Sequence, residues 1–262
     1  MSRGVLSRDL VLRPRLPDPC SIKLIGLGGV GGIVARYAAL FVGSLGQPAR
    51  LVLVDGDAFE LSNSNRMIFG SCGNKAQVTR DDLAPRLENS ALSLIALEEY
   101  VTPENIGRLI RSGDTVLLAV DNHATRKLVN DHCAHLEEVC LISGGNDGVE
   151  KTADGGARRG TFGNVQIYLR RGGADSSPAL TRFHPEIQTP ADHLPTLSCT
   201  EQIASVPQIL FTNLAVASVM LNALWLHLCG ALHYGEIAFD IADGLMRPTM
   251  PLSVPHPAVP AE

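Results

Sequence analysis

The chain has 262 residues, of which 45% are hydrophobic and 19% are charged, and its formal net charge is −5. This length can bury one sizeable core with at most a small appendage, and the acidic balance argues against a nucleic-acid-binding surface. The six cysteines show no close pairing typical of a disulfide framework, and no signal-peptide pattern opens the sequence, so we expect a cytoplasmic location.

Strand and helix patterns alternate along the first 145 residues. Residues 1–20 contain arginines and prolines without periodicity and are interpreted as an N-terminal arm. The pattern then predicts strands at 21–26, 50–55, 92–101, 114–120 and 139–145, and helices at 29–46, 75–90, 102–111 and 123–138. This alternation is typical of a doubly wound α/β fold with a Rossmann-like, mostly parallel sheet. We therefore predict a nucleotide-binding portion at 21–147.

The pattern changes after Gly145. A glycine-rich loop leads to a predicted strand at 164–171, and a long proline-rich stretch at 172–199 is predicted to be a lid or crossover. A last strand pair is predicted within 236–248. We interpret 148–250 as the substrate-binding and dimerisation portion of the same domain, and 251–262 as a proline-rich tail.

An apolar helix is predicted at 209–232. Its length would suit a membrane span. Asn213, Asn222 and His227 lie within it, however, and polar groups are costly in hydrocarbon. The sequence therefore favours a helix buried in a core or in a dimer interface.

A glycine-rich motif joins the first predicted strand to the first predicted helix. It reads GLGGVG from Gly26 to Gly31, with Gly28 and Gly29 at its centre. Gly26 permits a tight turn, Gly28 lets the backbone approach a phosphate, and Gly31 lets the helix pack on the strand. Asp55 ends the next strand, where its carboxylate can accept hydrogen bonds from ribose hydroxyls. The pattern predicts a nucleotide site without specifying the nucleotide.

Polar residues follow Asp55 that a dinucleotide would not require. Residues 54–67 read VDGDAFELSNSNRM. A triphosphate about to be cleaved needs fixed cations and a metal ion, and Arg66 and Lys75 can supply the cations. Asp121, at the end of the fourth strand, can hold Mg²⁺, which needs only one or two protein carboxylates. The other interpretation of Asp121 is a helix N-cap.

Together these motifs resemble the ThiF/MoeB/ubiquitin-activating enzyme family over roughly residues 21–235. A later match is the run SCTEQIASVP, in which a cysteine, an acid and a proline precede the long apolar helix. The matching positions are Gly26–Gly31, Asp55, Asp57, Ser62–Arg66, Lys75, Asp121, Asn122, Arg126, Cys199, Glu201 and Pro207.

The resemblance implies ATP-dependent adenylation of the C-terminal glycine of a ubiquitin-like or sulfur-carrier protein, with release of pyrophosphate. By family position, the glycines Gly26, Gly28, Gly29 and Gly31, together with Asp55, Asp57, Asn63, Arg66, Lys75 and Asp121, bind the nucleotide. Asp55 contacts the ribose and Asp121 holds Mg²⁺. The phosphates are contacted by Asn63, Arg66 and Lys75. Cys199 is then either the thiol that receives the adenylated carboxylate or a structural residue.

The resemblance also carries expectations about metals and partners. Many family members hold zinc with two CxxC pairs, which this sequence lacks, so no zinc is expected. Family members act as dimers or pseudo-dimers, so a homodimer is expected. Neither nucleic acid nor a membrane is an expected partner.

Two other functions remain open at the level of sequence. An NAD-dependent oxidoreductase would use a proton-transfer residue such as His184. A catalytically silent scaffold would bind a nucleotide and hold a ubiquitin-like partner. A metal cluster of His132, Cys133, His135 and Cys140 is disfavoured because Cys140 falls on the next predicted strand.

Overall fold

The computed structural model describes residues 11–64, 67–151, 157–182, 184–195 and 208–250. Arg66 and Cys199, both predicted site residues, lie outside the described residues. The helices are α1 (Gly29–Ser44), α2 (Lys75–Leu87), α3 (Ile106–Leu109), α4 (His123–Cys133), α5 (Pro185–Gln188) and α6 (Leu210–Leu228). The strands are β1 (Ser21–Ile25), β2 (Ala49–Val54), β3 (Ala58–Phe59), β4 (Gly73–Asn74), β5 (Leu92–Leu97), β6 (Thr115–Leu118), β7 (Val139–Asn146), β8 (Val149–Lys151), β9 (Ala157–Arg159), β10 (Phe162–Arg171), β11 (Ala174–Asp175), β12 (Glu236–Asp240) and β13 (Leu245–Thr249).

One large sheet organises the described chain. Its strand order is β13-β12-β10-β7-β6-β1-β2-β5, with β11 paired to β10. The five strands from β7 to β5 run parallel, whereas β10, β12 and β13 extend the sheet with antiparallel pairing. The predicted doubly wound α/β fold with a mostly parallel sheet is confirmed.

The strand order reverses beside β1. The chain passes from β1 to β2 on one side and later returns to β6 on the other side. In open α/β sheets, ligands bind outside the carboxyl ends of the strands at such a reversal. The fold therefore places a crevice at the ends of β1 and β6.

Helices cover both faces of the sheet, as buried strands on both faces require. On one face α1, α2 and α6 pack in a core that includes Leu24, Leu53 and Ile142. On the other face α3, α4 and α5 pack against residues such as Val54 and Leu118. Buried residues of the 21–147 and 148–250 portions share the first of these cores.

The apolar helix α6 lies in this core. It is the one helix of the described residues that is long and apolar enough to cross a membrane. Its residues Val216, Met220 and Ala223 are fully buried, and it packs against α1, β7 and β10. The core position favoured by the sequence is therefore the one observed.

Differences from the predicted elements occur mainly at helix ends and in one loop. Only Ile106–Leu109 is helical within the predicted helix 102–111, because the Asn105 side chain accepts a hydrogen bond from the Thr102 amide (2.8 Å) and holds a turn there. The helix predicted to reach residue 138 ends at Cys133, where the chain tightens into i→i−3 hydrogen bonds. The glycine-rich loop after Gly145 contains the short antiparallel pair of β8 and β9.

Candidate active site

The glycine motif forms the turn between β1 and α1. Gly26 has φ +87°, a conformation that side chains disfavour. A Cβ on Gly31 would lie 1.8 Å from the carbonyl oxygen of Gly26, so only glycine allows α1 to approach the turn this closely. A Cβ on Gly28 would meet only the Cε of Met67, at 3.9 Å. The geometry thus has a packing requirement at Gly31 and open space at Gly28, as a phosphate-binding turn needs.

The N-termini of α1 and α4 lie at the carboxyl edge of the sheet, and they differ in capping. α1 begins after Gly28 without a side-chain cap. α4 begins after Asn122, whose Oδ1 accepts from the third backbone N–H of the helix at 2.7 Å. The carboxylate of Asp192 accepts from the first two N–H groups, at 2.8 and 2.7 Å. An anion at this edge would therefore find free N–H donors at α1 and not at α4.

Asp55 connects the glycine turn to the end of β2. Its Oδ2 accepts from the Leu27 amide at 2.6 Å, and its Oδ1 accepts from the Asp57 amide at 2.8 Å. Burial raises the pKa of Asp55 to about 6, although the nearby Lys75 ammonium opposes the shift. Each carboxylate oxygen still has a lone pair for a further donor, so the side chain can accept from a ribose hydroxyl.

Lys75 is held between carboxylates. It is the first residue of α2, and its Nζ lies 2.9 Å from Oδ2 of Asp57. Burial alone would lower the pKa of Lys75, but the charges of Asp55, Asp57 and Asp121 outweigh it and raise the pKa. Tyr100 donates a hydrogen bond to the same Asp57 carboxylate. The lysine is thus charged and directed into the group formed by Asp55, Asp57 and Asp121.

Asp121 follows β6 and its side chain is exposed. It makes no hydrogen bond to another described residue, and the cap of α4 is Asn122, so the N-cap interpretation of Asp121 is wrong. An exposed, unshared carboxylate is the kind of oxygen ligand that Mg²⁺ takes together with phosphate oxygens. The donor set at the edge therefore fits a magnesium–triphosphate complex.

Arg126 is buried behind Asp121. Its guanidinium donates to the carbonyl oxygens of Val120 (2.6 Å) and Gly144 (2.8 Å), and to the hydroxyl of Ser143. Burial lowers the pKa of Arg126 to about 10, and the negative charges of Asp121 and Asp192 limit the shift. The role of Arg126 is to fix the backbone around the end of β6.

The geometry around His184 disfavours the oxidoreductase interpretation. Both ring nitrogens of His184 contact carboxylates, those of Glu186 and Glu236, at 2.8 Å. Glu236 starts β12, four strands from β1, which is about 19 Å at the usual strand spacing. His184 is therefore not poised over the crevice as an oxidoreductase would require.

The described structure does not bring His132, Cys133, His135 and Cys140 together as a group of metal ligands. Cys133 and Cys140 are both buried in the core, and burial raises the pKa of each thiol to about 12. His132 contacts the carbonyl oxygen of Ile110 through Nε2 at 3.0 Å. Among the residues that the structure describes, no group of three His, Cys, Asp or Glu side chains could hold a metal ion.

Asn63 takes a local role in the described structure. Its Oδ1 accepts from the Glu60 amide at 3.0 Å within a capped 3₁₀ turn, which leaves its Nδ2 to donate. Its phosphate contact stays a prediction.

Several residues around the site were not predicted from the sequence. Asn74 caps α2 and donates to the carbonyl oxygen of Asp55 at 2.9 Å; an asparagine before a helical pattern is the signal that could have found it. Tyr100 and Asp192 reach the site from distant loops, and no local pattern marks them. Asn213 is fully buried, and its Nδ2 would lie 2.3 Å from a Cβ on Gly29.

Comparisons with known proteins agree with this geometry. The ThiF family profile matches residues 18–231. Protein HesA of Leptolyngbya boryana is 32% identical over 132 residues, which cover 48% of this chain and 44% of HesA. The sulfur carrier protein ThiS adenylyltransferase of Escherichia coli K12 is 34% identical over 142 residues, covering 52% of this chain and 53% of the relative. The chain thus matches about half the length of these relatives.

A solved structure supports the fold. The E. coli MccB structure with AMPCPP and MccA aligns with a TM-score of 0.60 at 15% sequence identity, and the alignment covers 88% of this chain and 63% of MccB. At this identity the likeness concerns the fold alone. Since the family profile spans most of the sequence and the glycine turn, Asp55, Lys75 and Asp121 converge in one crevice, the chain belongs to the ThiF family.

Proposed function

We propose that the protein adenylates the C-terminal carboxylate of a ubiquitin-like or sulfur-carrier protein with ATP. A substrate carboxylate oxygen attacks the α-phosphorus, the bond from that phosphorus to the oxygen bridging the β-phosphorus breaks, and pyrophosphate leaves. The observation that carries the proposal is the uncapped N-terminus of α1 beside Asp55, Lys75 and Asp121 at the strand-order reversal. The ThiS adenylyltransferase relative supports this reaction class.

Each site residue has a defined task in this reaction. The glycine turn and the amides of α1 bind phosphate oxygens, and Asp55 accepts from the ribose. Lys75, oriented by Asp57, places a positive charge on the phosphates, with Arg66 and Asn63 as further phosphate ligands. Mg²⁺, when held by Asp121 and the triphosphate, neutralises charge on the departing pyrophosphate.

A second step through Cys199 is part of the proposal. The Cys199 thiolate attacks the acyl carbon of the adenylate, a thioester forms, and AMP leaves. The place of Cys199 in the run SCTEQIASVP, ahead of the long apolar helix, supports this step. Cys199→Ala should preserve pyrophosphate exchange and remove a thiol-labile adduct. An adduct that persists in this variant would make Cys199 structural.

We further propose a cytoplasmic homodimer. The exposed apolar residues Leu210, Phe211 and Leu214 on α6 support a protein contact at that helix.

The central experiment measures nucleotide choice and chemistry together. Calorimetry should show binding of ATP with Mg²⁺ in preference to NAD, and pyrophosphate exchange should require a small protein ending in glycine. Binding of NAD without ATP would instead indicate an oxidoreductase. Binding of ATP without exchange for any such substrate would indicate a silent scaffold.

A further inference from the structure

Asp121 stands on a backbone that other residues immobilise. Its own carboxylate is exposed and makes no hydrogen bond to another described residue. Directly before it, the carbonyl oxygen of Val120 accepts from the buried Arg126 at 2.6 Å. Directly after it, Asn122 caps the third amide of α4. The Asp121 side chain thus has no hydrogen bond to a described residue, while hydrogen bonds hold the backbone on either side of it.

Asp192 holds the N-terminus of α4, which follows Asp121 in the chain. Its Oδ2 accepts from the His123 amide at 2.8 Å and its Oδ1 accepts from the Ala124 amide at 2.7 Å. A carboxylate at a helix N-terminus is favoured by the helix dipole as well as by the two hydrogen bonds. Asp192 lies 69 positions from His123 and 68 from Ala124 along the chain. The two hydrogen bonds therefore fix the position of the α4 N-terminus in the tertiary structure.

The two hydrogen bonds of Asp192 act on the first turn of α4, which begins two residues after Asp121. If the first turn of α4 shifts, the carboxylate of Asp121 moves with it, because only Asn122 separates Asp121 from His123. Arg126 also belongs to α4 and donates to the carbonyl oxygens of Val120 and Gly144 on the strand side, whereas Asp192 alone accepts from the first two amides of the helix. A metal ligand needs its supporting partners to keep it in the productive geometry.

We propose that Asp192 is a positioning residue for Asp121: its two-oxygen clamp on α4 holds the Asp121 carboxylate where the magnesium ion of bound ATP requires it. The inference rests on the proposed ATP- and magnesium-dependent function. It assigns a task to the 184–195 segment, which the family motifs do not include.

The test compares ATP affinity with Mg²⁺ and with EDTA by calorimetry on the full chain. Wild-type protein should bind ATP more tightly with Mg²⁺, and Asp121→Ala should lose most of this enhancement. Asp192→Ala should reduce the enhancement by about 10-fold while leaving the affinity in EDTA unchanged. Asp192→Asn, which keeps one acceptor oxygen, should have a smaller effect and guards against misfolding of the alanine variant.

A matched control and a metal-free readout complete the design. Asp131→Ala removes a carboxylate from the same helix, where it pairs with Lys127, and should leave the magnesium enhancement unchanged. In ligand-free protein, the amides of His123 and Ala124 should exchange hydrogen faster in Asp192→Ala than in wild type or in Asp131→Ala.

The outcomes separate the inference from the function. In the double variant Asp121→Ala/Asp192→Ala, the loss should equal that of Asp121→Ala alone, because Asp192 acts through Asp121. A full magnesium enhancement in Asp192→Ala, an equal loss with and without metal, or additive losses would overturn the positioning role. A wild-type protein that binds no ATP would overturn the proposed function itself.

Discussion

Burial and ligand binding have opposite effects on the protonation of the Asp55 carboxylate. Burial favours the protonated acid and raises the pKa to about 6, above the ordinary value of 3.8. Two backbone amides and Lys75 favour the charged form that a ribose would need. Ionisation of Asp55 therefore lowers the free energy of unfolding of the nucleotide-free protein, although the ionised form is the one that accepts from a ribose hydroxyl.

This opposition predicts a pH dependence of both stability and binding. Because the folded-state pKa is raised, the contribution of Asp55 to the free energy of unfolding is largest below about pH 4 and is lost as pH rises through about 6; the shift corresponds to about 3 kcal/mol. ATP affinity should move the other way and fall as pH drops from 7.5 to 5.5. Calorimetry on wild type and Asp55→Asn measures this, since both share the titration of ATP itself. Parallel pH profiles in the two proteins would contradict the assignment.

The glycine turn gives a second prediction, because Gly28 and Gly31 are constrained differently. Gly28→Ala should leave the melting temperature nearly unchanged, since its Cβ meets only Met67 at 3.9 Å, yet it should weaken ATP binding at least 10-fold by occupying the phosphate space. Gly31→Ala, with a Cβ 1.8 Å from the Gly26 carbonyl oxygen, should destabilise the fold itself. Thermal melts and ATP titrations on both variants separate the two effects. Unchanged ATP affinity in a folded Gly28→Ala protein would place the phosphates elsewhere.

The part of the site that local sequence patterns encode was predictable from the sequence. The glycine motif, Asp55 at a strand end and Asp121 at another strand end were predictable, because parallel strands bring their carboxyl ends to one edge. The contacts of Tyr100 with Asp57 and of Asp192 with α4 were not predictable. They join segments more than 40 residues apart, and no local spacing encodes such pairs.

At the scale of elements, α6 packs against α1 beside the glycine turn. α6 brings Asn213 against Gly29, and a Cβ at Gly29 would collide with the Asn213 amide. The position of α6 was predictable from its apolar length, but its contact with the glycine turn was not. The capped starts of α2 and α4, after Asn74 and Asn122, match the predicted starts, whereas both helices end a few residues earlier than predicted.

The buried amide of Asn213 predicts a stabilising substitution. Its Nδ2 and Oδ1 have no hydrogen-bond partner within the described chain, and an unpaired buried polar group costs about 1–3 kcal/mol. Asn213→Leu, which has a similar shape, should therefore increase the free energy of unfolding by about 1–3 kcal/mol in urea titrations. Asn222→Leu on the exposed face of the same helix should change it by less than about 0.5 kcal/mol. A loss of stability in Asn213→Leu alone would mean that the amide has a partner.

At the scale of the whole molecule, one sheet joins both portions of the chain. The antiparallel strands β10, β12 and β13 continue the parallel sheet whose strand ends form the crevice, so the C-terminal strands belong to the same sheet as the site. β13 is an exposed edge strand, and Pro248 within it discourages pairing with another strand. The apolar surface on α6 is therefore a better location than this edge for contact with a second copy.

The last prediction concerns this surface of Leu210, Phe211 and Leu214. Phe211 is 69% exposed and its two neighbours are about 40% exposed, although all three are large apolar residues on a helix whose other face is core. If a second copy buried these side chains, the burial would stabilise the dimer by about 25 cal/mol for each Å² of apolar surface removed from water. Wild type should therefore elute as a homodimer in size-exclusion chromatography with light scattering, and Phe211→Glu should be a folded monomer. Ile95→Glu, a charge placed on the opposite edge strand β5 where charges are tolerated, should remain dimeric. A monomeric wild type, or a Phe211→Glu protein that stays dimeric, would mean that α6 does not form the interface.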